Sequence, residues 1–453
     1  MIKDPIKNLS SSRFDLGAKL LYGRTYLSGT QQGWPFEVYK EHIRVFNNFV
    51  ETDKLKIGIK QFVSVFESLI SSMWDEGFNS DFAIPVSQND IIEDGAHRLS
   101  AAILTSKAVT VKSVSKDPCN YNYQYFRDRG LQENYLDAMA LEFIRWKSSL
   151  RLLIFYPSVT VPGEFEEKDF LEKEVDVFYC KEIYAKATDG KHFIQEIYRE
   201  EPWVGGHKDG FKGARRKAKG CFSKDGVLRV YLIEPNQNTD LVSLKEKLRA
   251  NYNLGKHSVH STDTYDETKY LGNILFNNNT LELIRLNQVY LSKWNRVLFD
   301  ELNDLIALEG IDSEHLFVHG SFLLSLLEIR EARDIYLVVS THREYQISSP
   351  NLGTHNQELK NLKFDVNDSL YNPNNFFWYK GVKVVTPNEL IRYKERRNEY
   401  KDKVDVVNLR KFRKSRSYLS LIEKIRKDIS SKYNKKVIKF YIKKILSDIN
   451  GKN

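Results

Sequence analysis

The chain has 453 residues, of which 41% are hydrophobic and 13% aromatic, which suffices for several globular cores and excludes a collagen-like or wholly disordered protein. Its three cysteines, Cys119, Cys180 and Cys221, are too few and too scattered for a disulfide framework or a CxxC metal site. The first residues form no apolar leader, and no apolar run reaches the roughly 18 residues that a membrane span needs. These features predict a cytoplasmic protein.

The net charge of +9 is unevenly distributed along the chain. Residues 391–453 contain 21 Lys and Arg but only 7 Asp and Glu, whereas the rest of the chain is mildly acidic. From Tyr418 to Ile449, apolar residues recur among lysines, as in a basic amphipathic helix. Such a tail is a candidate contact with a polyanion or with an anionic membrane surface, and a solvated helical face is the alternative.

Hydrophobic patterns predict a multidomain α/β and α+β chain. The predicted units are domains at 1–150, 151–280 and 281–410 and a basic helical tail at 411–453. Strands are predicted, in chain order, at 83–86, 91–92, 152–156, 175–180, 227–233, 316–319, 335–339 and 382–385. Helices are predicted at 61–74, 99–104, 121–149, 190–200, 241–251, 281–308, 321–328 and 387–400.

The sharpest local motif is Asp94-Gly-Ala-His97-Arg98, between a predicted strand and a predicted helix. Free N–H groups at a helix start, with two basic side chains beside them, suit a phosphate group. With the helix and strand that precede it, this motif resembles the ParB/sulfiredoxin superfamily over residues 40–112. Members of that superfamily bind or hydrolyse nucleotides, and one branch is a free-amino-acid kinase.

This resemblance implies a nucleotide site in the first domain. The residues expected to contact the phosphates or their metal ion are Asp94, Gly95, His97 and Arg98. Kinase branches use an upstream carboxylate as a base; Glu51 lies in the matching region, and Asp53 would serve equally well. In the alternative interpretation, Asp94 only shapes the turn and Arg98 pairs with a surface acid.

A second motif, in residues 255–268, places His257 and His260, several hydroxyl groups and an acid just before a predicted helix. Neutral histidine can act as a nucleophile towards phosphorus, as a base or as a metal ligand. The segment resembles the active-site segment of nucleoside diphosphate kinases, and the likeness spans residues 150–275. It implies that His260 is the phosphorylated histidine. The other residues expected to bind phosphate are Lys212, Arg215, Arg249, His257, Thr262 and Asp263.

The second resemblance has departures. Tyr156-Pro-Ser158 stands where the family has a Lys-Pro-Asp turn, and His257 stands where it has asparagine. Lys212 and Arg215 belong to a glycine-rich basic loop that is not a Walker A motif. In the alternative interpretation, both histidines are core residues at a helix cap.

A third motif, His319-Gly-Ser321 followed by Asp334-Ile-Tyr336, resembles the nucleotidyltransferase superfamily. That resemblance implies phosphate binding at Ser321 and a magnesium ligand at Asp334. Paired strand carboxylates would bridge metal and triphosphate, but Tyr336 replaces the second acid. Asp365 or Asp368 is a candidate third acid. We therefore expect a degenerate domain that binds or scaffolds rather than catalyses.

Together, the three resemblances favour an ATP- and Mg²⁺-dependent kinase or phosphotransferase acting on a small molecule, such as a sugar or a glycan precursor. In one form, Glu51 deprotonates the acceptor beside the Asp94 turn; in the other, His260 carries the phosphoryl group. The alternatives are a nucleic-acid-binding or nucleotidyltransferase-related protein and a non-catalytic adaptor of degenerate enzyme domains. The oligomeric state is open.

Overall fold

The structure is a computed structural model that describes residues 1–29, 31–51, 56–87, 90–159, 167–236, 239–286, 293–340, 347 and 349–414. Within these ranges, helices surround three separate β-sheets, which confirms the predicted multidomain α/β and α+β class. No helix among the described residues is long and apolar enough to span a membrane. Asp53 and the predicted tail beyond residue 414 lie outside the described residues, so polyanion or membrane contact by the tail stays a prediction.

The first part, residues 1–150, contains a three-stranded sheet of order β1-β3-β2, in which β2 and β3 are parallel. Its strands are β1 (Ile2–Lys3), β2 (Ile84–Val86) and β3 (Val109–Ser113). Its helices are α1 (Asp15–Leu27), α2 (Trp34–Asn47), α3 (Ile59–Glu76), α4 (Ala96–Leu104), α5 (Tyr123–Asp128) and α6 (Glu133–Trp146). The strand predicted at 91–92 is only a single bridge between Val86 and Ile92, flanked by hydrogen bonds from the Ser87 N–H to the Ile91 carbonyl and from the Glu93 N–H to the Pro85 carbonyl.

The middle part contains a four-stranded sheet of order β5-β6-β4-β7 in which all neighbouring strands are antiparallel. Its strands are β4 (Arg151–Phe155), β5 (Val175–Ala185), β6 (Gly226–Pro235) and β7 (Val259–Ser261). Its helices are α7 (Glu167–Glu174), α8 (Gly190–Ile197), α9 (Lys212–Cys221), α10 (Leu241–Tyr252), α11 (Tyr265–Leu275) and α12 (Asn278–Leu286). This strand order is that of a split βαβ fold, with α8 and α9 between the two strands of the β5–β6 pair.

The third part contains a five-stranded mixed sheet of order β10-β9-β8-β12-β11. Its strands are β8 (Leu316–His319), β9 (Ile335–Val339), β10 (Leu352–Thr354), β11 (Phe376–Tyr379) and β12 (Val382–Val385). Its helices are α13 (Lys293–Glu309), α14 (Phe322–Leu326), α15 (Asn356–Asn361), α16 (Val366–Tyr371), α17 (Pro387–Arg397) and α18 (400–414). Helix α17 begins where the sequence predicts it, because the Thr386 side chain caps it and Pro387 occupies its first turn.

Helix α6 joins the first part to the middle part through its buried face. The ring of Phe143 on α6 stacks on Phe14 at a centroid distance of 5.5 Å, and Phe14 in turn stacks on Tyr179 of β5 at 5.9 Å. Asp137 on the same helix accepts a hydrogen bond from the buried Lys181 Nζ at 2.6 Å. The core is therefore continuous across residue 150, where the sequence predicts a domain boundary.

Candidate functional site

Charged side chains of α1 enter the interior of the first part. Asp15 and Lys19 are one helical turn apart, and their carboxylate and ammonium groups are 2.7 Å apart. Arg13 Nε also donates to Asp15, at 2.9 Å, and Lys19 Nζ lies 3.2 Å from His42 Nε2. All four side chains are buried. Burial lowers the pKa of Lys19, and the Asp15 carboxylate opposes that shift. Such a buried charged group needs an ionised partner, and perturbed groups of this kind are common at functional sites.

Next to this ion pair lies His97, one of the predicted site residues, and the charge of a second one, Glu51, acts on its neighbour Tyr39. Tyr39 Oη lies 2.9 Å from His97 Nε2, and the charge of Lys56 acts on His97. Lys56 Nζ holds the Glu51 carboxylate at 2.8 Å. We call Lys19, Tyr39, Glu51, Lys56 and His97 the Glu51–His97 cluster.

The predicted phosphate turn begins α4 at the edge of this cluster. Gly95 caps the helix with a left-handed φ of 82°, and no side chain caps the helix there. Arg98 Nη2 pairs with Asp94 Oδ2 at 3.2 Å, and its Nη1 donates to the carbonyl of Phe82. The Asp94 side chain is 79% exposed. The turn thus presents an exposed carboxylate, a partly buried guanidinium and an uncapped helix start.

His97 should make stability pH-dependent. Burial, reinforced by the positive charges of Lys19 and Lys56, lowers the pKa of His97 well below its usual value. Below about pH 6.5 the unfolded chain binds a proton at this histidine that the folded chain does not, so the unfolding free energy falls by up to about 1.4 kcal/mol per pH unit. In urea unfolding at pH 7.5, 6.0 and 5.0, His97→Gln should show a shallower decline than the wild type. Parallel pH profiles would contradict this expectation.

In the middle part, His260 on β7 is held by an acid that the sequence analysis does not identify. His260 Nε2 lies 3.0 Å from Glu267 Oε1 on α11, and Glu267 Oε2 accepts from the Asp263 N–H at 2.7 Å. The ring of Tyr198 packs edge-on against His260 at 4.7 Å. A signal for Glu267 does exist in the sequence, since it lies three residues after Thr264, the helix cap that accepts its N–H. Glu267 fixes the orientation of the imidazole ring.

Several of the phosphate-binding residues predicted around His260 have partners inside the protein, and Asp263 Oδ1 accepts from Lys245 Nζ at 3.3 Å. Thr262 is fully buried and bonds to the N–H of Leu152 and to Thr268. Arg249 Nη1 pairs with Glu246 at 2.6 Å. Thr262 therefore belongs to the core of this part.

The other basic residues of this region lie around α9. His257 Nδ1 lies 3.7 Å from Cys221 Sγ, and Lys212 and Arg215 are exposed. Lys217, which the sequence analysis does not single out, lies over the ring of Tyr198 at 5.5 Å. Burial lowers the pKa of this lysine.

The third part contains the predicted Gly-Ser turn but surrounds it with aromatic rings. The ring of Tyr336 stacks on His355 at 4.0 Å, and His355 Nδ1 lies 3.0 Å from His319 Nδ1. Ser321 lies at the start of α14. An aromatic stack thus occupies the strand position where a second metal ligand would lie.

The two candidate third acids of the third part make structural hydrogen bonds in and around α16. Asp365 caps α16, and Asp368 bonds to Asn372 in the same helix region. Among the described residues there is no group of three or more His, Cys, Asp or Glu side chains that could hold a metal ion, either at Asp94 or at Asp334.

No known protein family, curated protein or solved structure matches this chain. The three family resemblances therefore stay predictions. Of the predicted sites, the Glu51–His97 cluster with its adjoining turn combines a candidate base, a neutral histidine and a helix start. It also contains the buried Lys19 and the partly exposed Lys56, which local sequence patterns do not reveal.

Proposed function

We propose that the chain is an ATP-dependent phosphotransferase whose acceptor is a hydroxyl group on a small molecule, such as a sugar or a glycan precursor. The observation that carries this proposal is the contact of Tyr39 Oη with His97 Nε2 at 2.9 Å at the start of α4, beside the Glu51–Lys56 ion pair, whose carboxylate charge acts on Tyr39. A base, cationic side chains and a helix start in one place are the parts that phosphoryl transfer requires.

The phosphates of ATP would bind at the start of α4, where N–H groups and the helix dipole favour negative charge. Arg98 would supply positive charge at this turn. Mg²⁺ is usually held by phosphates, waters and only one or two carboxylates, so the single exposed carboxylate of Asp94 fits an ion that arrives with the nucleotide. The proposal therefore needs no metal site formed by the protein alone.

Within the cluster, Glu51 would accept the proton of the acceptor hydroxyl. Lys56 keeps its carboxylate in place at 2.8 Å, and Tyr39 orients His97. His97, which stays neutral at physiological pH, can donate a hydrogen bond without adding charge. The positive charge of Lys19 also acts on His97. Positioning and electrostatic stabilisation would then supply most of the rate acceleration.

The Gly95→Ala variant tests the phosphate turn, with Gly130→Ala as its matched control. Both glycines have φ near +83°, so each alanine should cost about 1–2 kcal/mol of stability. A Cβ at Gly95 would approach the Arg98 guanidinium to 2.9 Å, whereas a Cβ at Gly130 meets nothing within 4 Å. We expect ATP binding, measured by calorimetry with Mg²⁺, to weaken about tenfold or more only in Gly95→Ala. Equal affinities in the two variants would contradict a nucleotide site at this turn.

A phosphohistidine step at His260 is the second candidate, and the Glu267 contact favours it. If Nε2 donates its proton to Glu267, Nδ1 keeps the lone pair that attacks phosphorus. Lys217 Nζ lies 5.5 Å from the centre of the Tyr198 ring, and that ring packs against His260 at 4.7 Å, so a cation lies near the histidine. The two candidates use different parts of the chain, so substitutions distinguish them.

A further inference from the structure

A cavity lies where the three parts of the chain meet, apart from the Glu51–His97 cluster. Its walls come from α1 and the start of α2, from α6 and α11, and from β11, β12 and the end of α16. It encloses about 70 Å³, several times the roughly 10–15 Å³ that one water molecule needs. A small molecule can therefore fit between the parts.

Two side chains that line this cavity each carry a buried hydrogen-bond donor with no partner among the described residues. Trp34 is 7% exposed, and its indole Nε1 is buried without an acceptor. Arg24 bonds to Glu142 through Nε and Nη2, but its buried Nη1 has no acceptor either. Buried donors are almost always satisfied in proteins, so two orphans on one cavity indicate that something else supplies the acceptor atoms.

The remaining walls combine positive charge with apolar rings. Four cationic side chains and two carboxylates line the cavity: Arg24, Arg145, Lys269 and Lys383 with Glu142 and Glu314. The lining therefore has an excess of positive charge, which Asp312, 3.8 Å from Lys269 Nζ, reduces but does not remove. The apolar wall is formed by Leu141, Phe276, Tyr371, Pro373, Phe376 and Trp378. The occupant should therefore be anionic at one end and apolar at the other.

We propose that this cavity binds a small organic carboxylate, whose oxygens accept from Arg24 Nη1 and Trp34 Nε1 and whose carbon body lies against the aromatic wall. A carboxylate carries one negative charge and two coplanar acceptor oxygens, which suit a guanidinium and an indole N–H. Inorganic phosphate offers the same acceptors but has no apolar portion. The proposal stands independently of the phosphotransferase function.

Indole ¹⁵N–¹H NMR of the full chain tests the proposal, with sodium propionate as the probe and sodium chloride as the ionic-strength control. The Trp34 resonance is identified by its loss in Trp34→Phe, a change that keeps a ring to stack on Tyr135. We expect a saturable downfield shift of this resonance with propionate. Trp74→Phe, at a site that is 58% exposed, should leave the response unchanged.

Arg24→Lys, which keeps the charge but loses the planar fork, should weaken propionate binding about tenfold. Circular dichroism of each variant establishes that it is folded. Absence of a saturable shift would overturn the proposal, because water alone would then satisfy the two donors. Binding of inorganic phosphate more tightly than propionate, or wild-type affinity in Arg24→Lys, would overturn it as well.

Discussion

Glu51→Gln is expected to lower Mg²⁺-dependent ATP turnover at least about 100-fold, because removal of a general base typically costs 10²–10⁴-fold in rate. Hydrolysis of γ-labelled ATP, with water as the acceptor, measures this without knowledge of the natural substrate. The dissociation constant for ATP should stay unchanged, since the Glu51 carboxylate pairs with Lys56 and is proposed to act on the acceptor hydroxyl, not to bind the phosphates. Loss of turnover with retained binding is the signature of a group that acts in the transition state.

Two comparisons make this result specific to the first part. Glu37→Gln removes a carboxylate from another glutamate–lysine pair, which Glu37 forms with Lys40 at 3.1 Å on the surface of α2, and should be neutral. His260→Asn should also retain turnover if the Glu51–His97 cluster performs the chemistry. If instead Glu51→Gln is active, and His260→Asn is inactive and loses a base-stable, acid-labile phosphoryl label, the chemistry belongs to the middle part.

Lys394→Met is expected to lower the unfolding free energy by about 3–5 kcal/mol, the usual cost of leaving a buried charge without its partner. Lys394 is 1% exposed, and its Nζ lies between Asp402 Oδ1 at 2.9 Å and Asp405 Oδ2 at 2.8 Å. Both acids are buried, so their charges depend on this lysine and on two arginines, Arg330 and Arg397. These ion pairs link α18 to α17.

Chemical denaturation measures this loss, and Lys401→Met is the matched control. Lys401 pairs with Glu399 at 3.0 Å but is 64% exposed, where an ion pair contributes at most about 1 kcal/mol. A loss of less than about 1 kcal/mol in Lys394→Met would mean that water reaches Asp402 and Asp405 when the lysine is removed.

The sequence predicts the parts of the site that are local, and misses those that depend on distant contacts. The Asp94–Arg98 turn is predictable because a glycine between a strand and a helix has few alternatives. The burial of Asp15 and Lys19 is not predictable, because an acid and a lysine at i and i+4 normally form a solvent-exposed pair. In the fold they lie in the interior, where Asp15 pairs with Arg13 and Lys19 contacts His42.

The same distinction explains the third part. The strand and the Gly-Ser turn follow from local pattern, and both are present in the structure. The stack of Tyr336 on His355 depends on β9 lying beside β10, a pairing that hydrophobic periodicity does not specify. Glu51 could be named as a candidate base, but its partner Lys56 could not, since the intervening segment has no regular pattern.

The buried face of α6 has a consequence for the ancestry of this chain. Domains that recombine freely between genes carry self-sufficient cores and meet through exposed surfaces. Here Phe143 packs against rings on both sides of residue 150, and Asp137 pairs with a lysine beyond it. Exchanging either side for a foreign domain would therefore expose apolar rings and leave a buried charge without its partner. The parts are thus expected to have been inherited together as one unit rather than shuffled as separate modules.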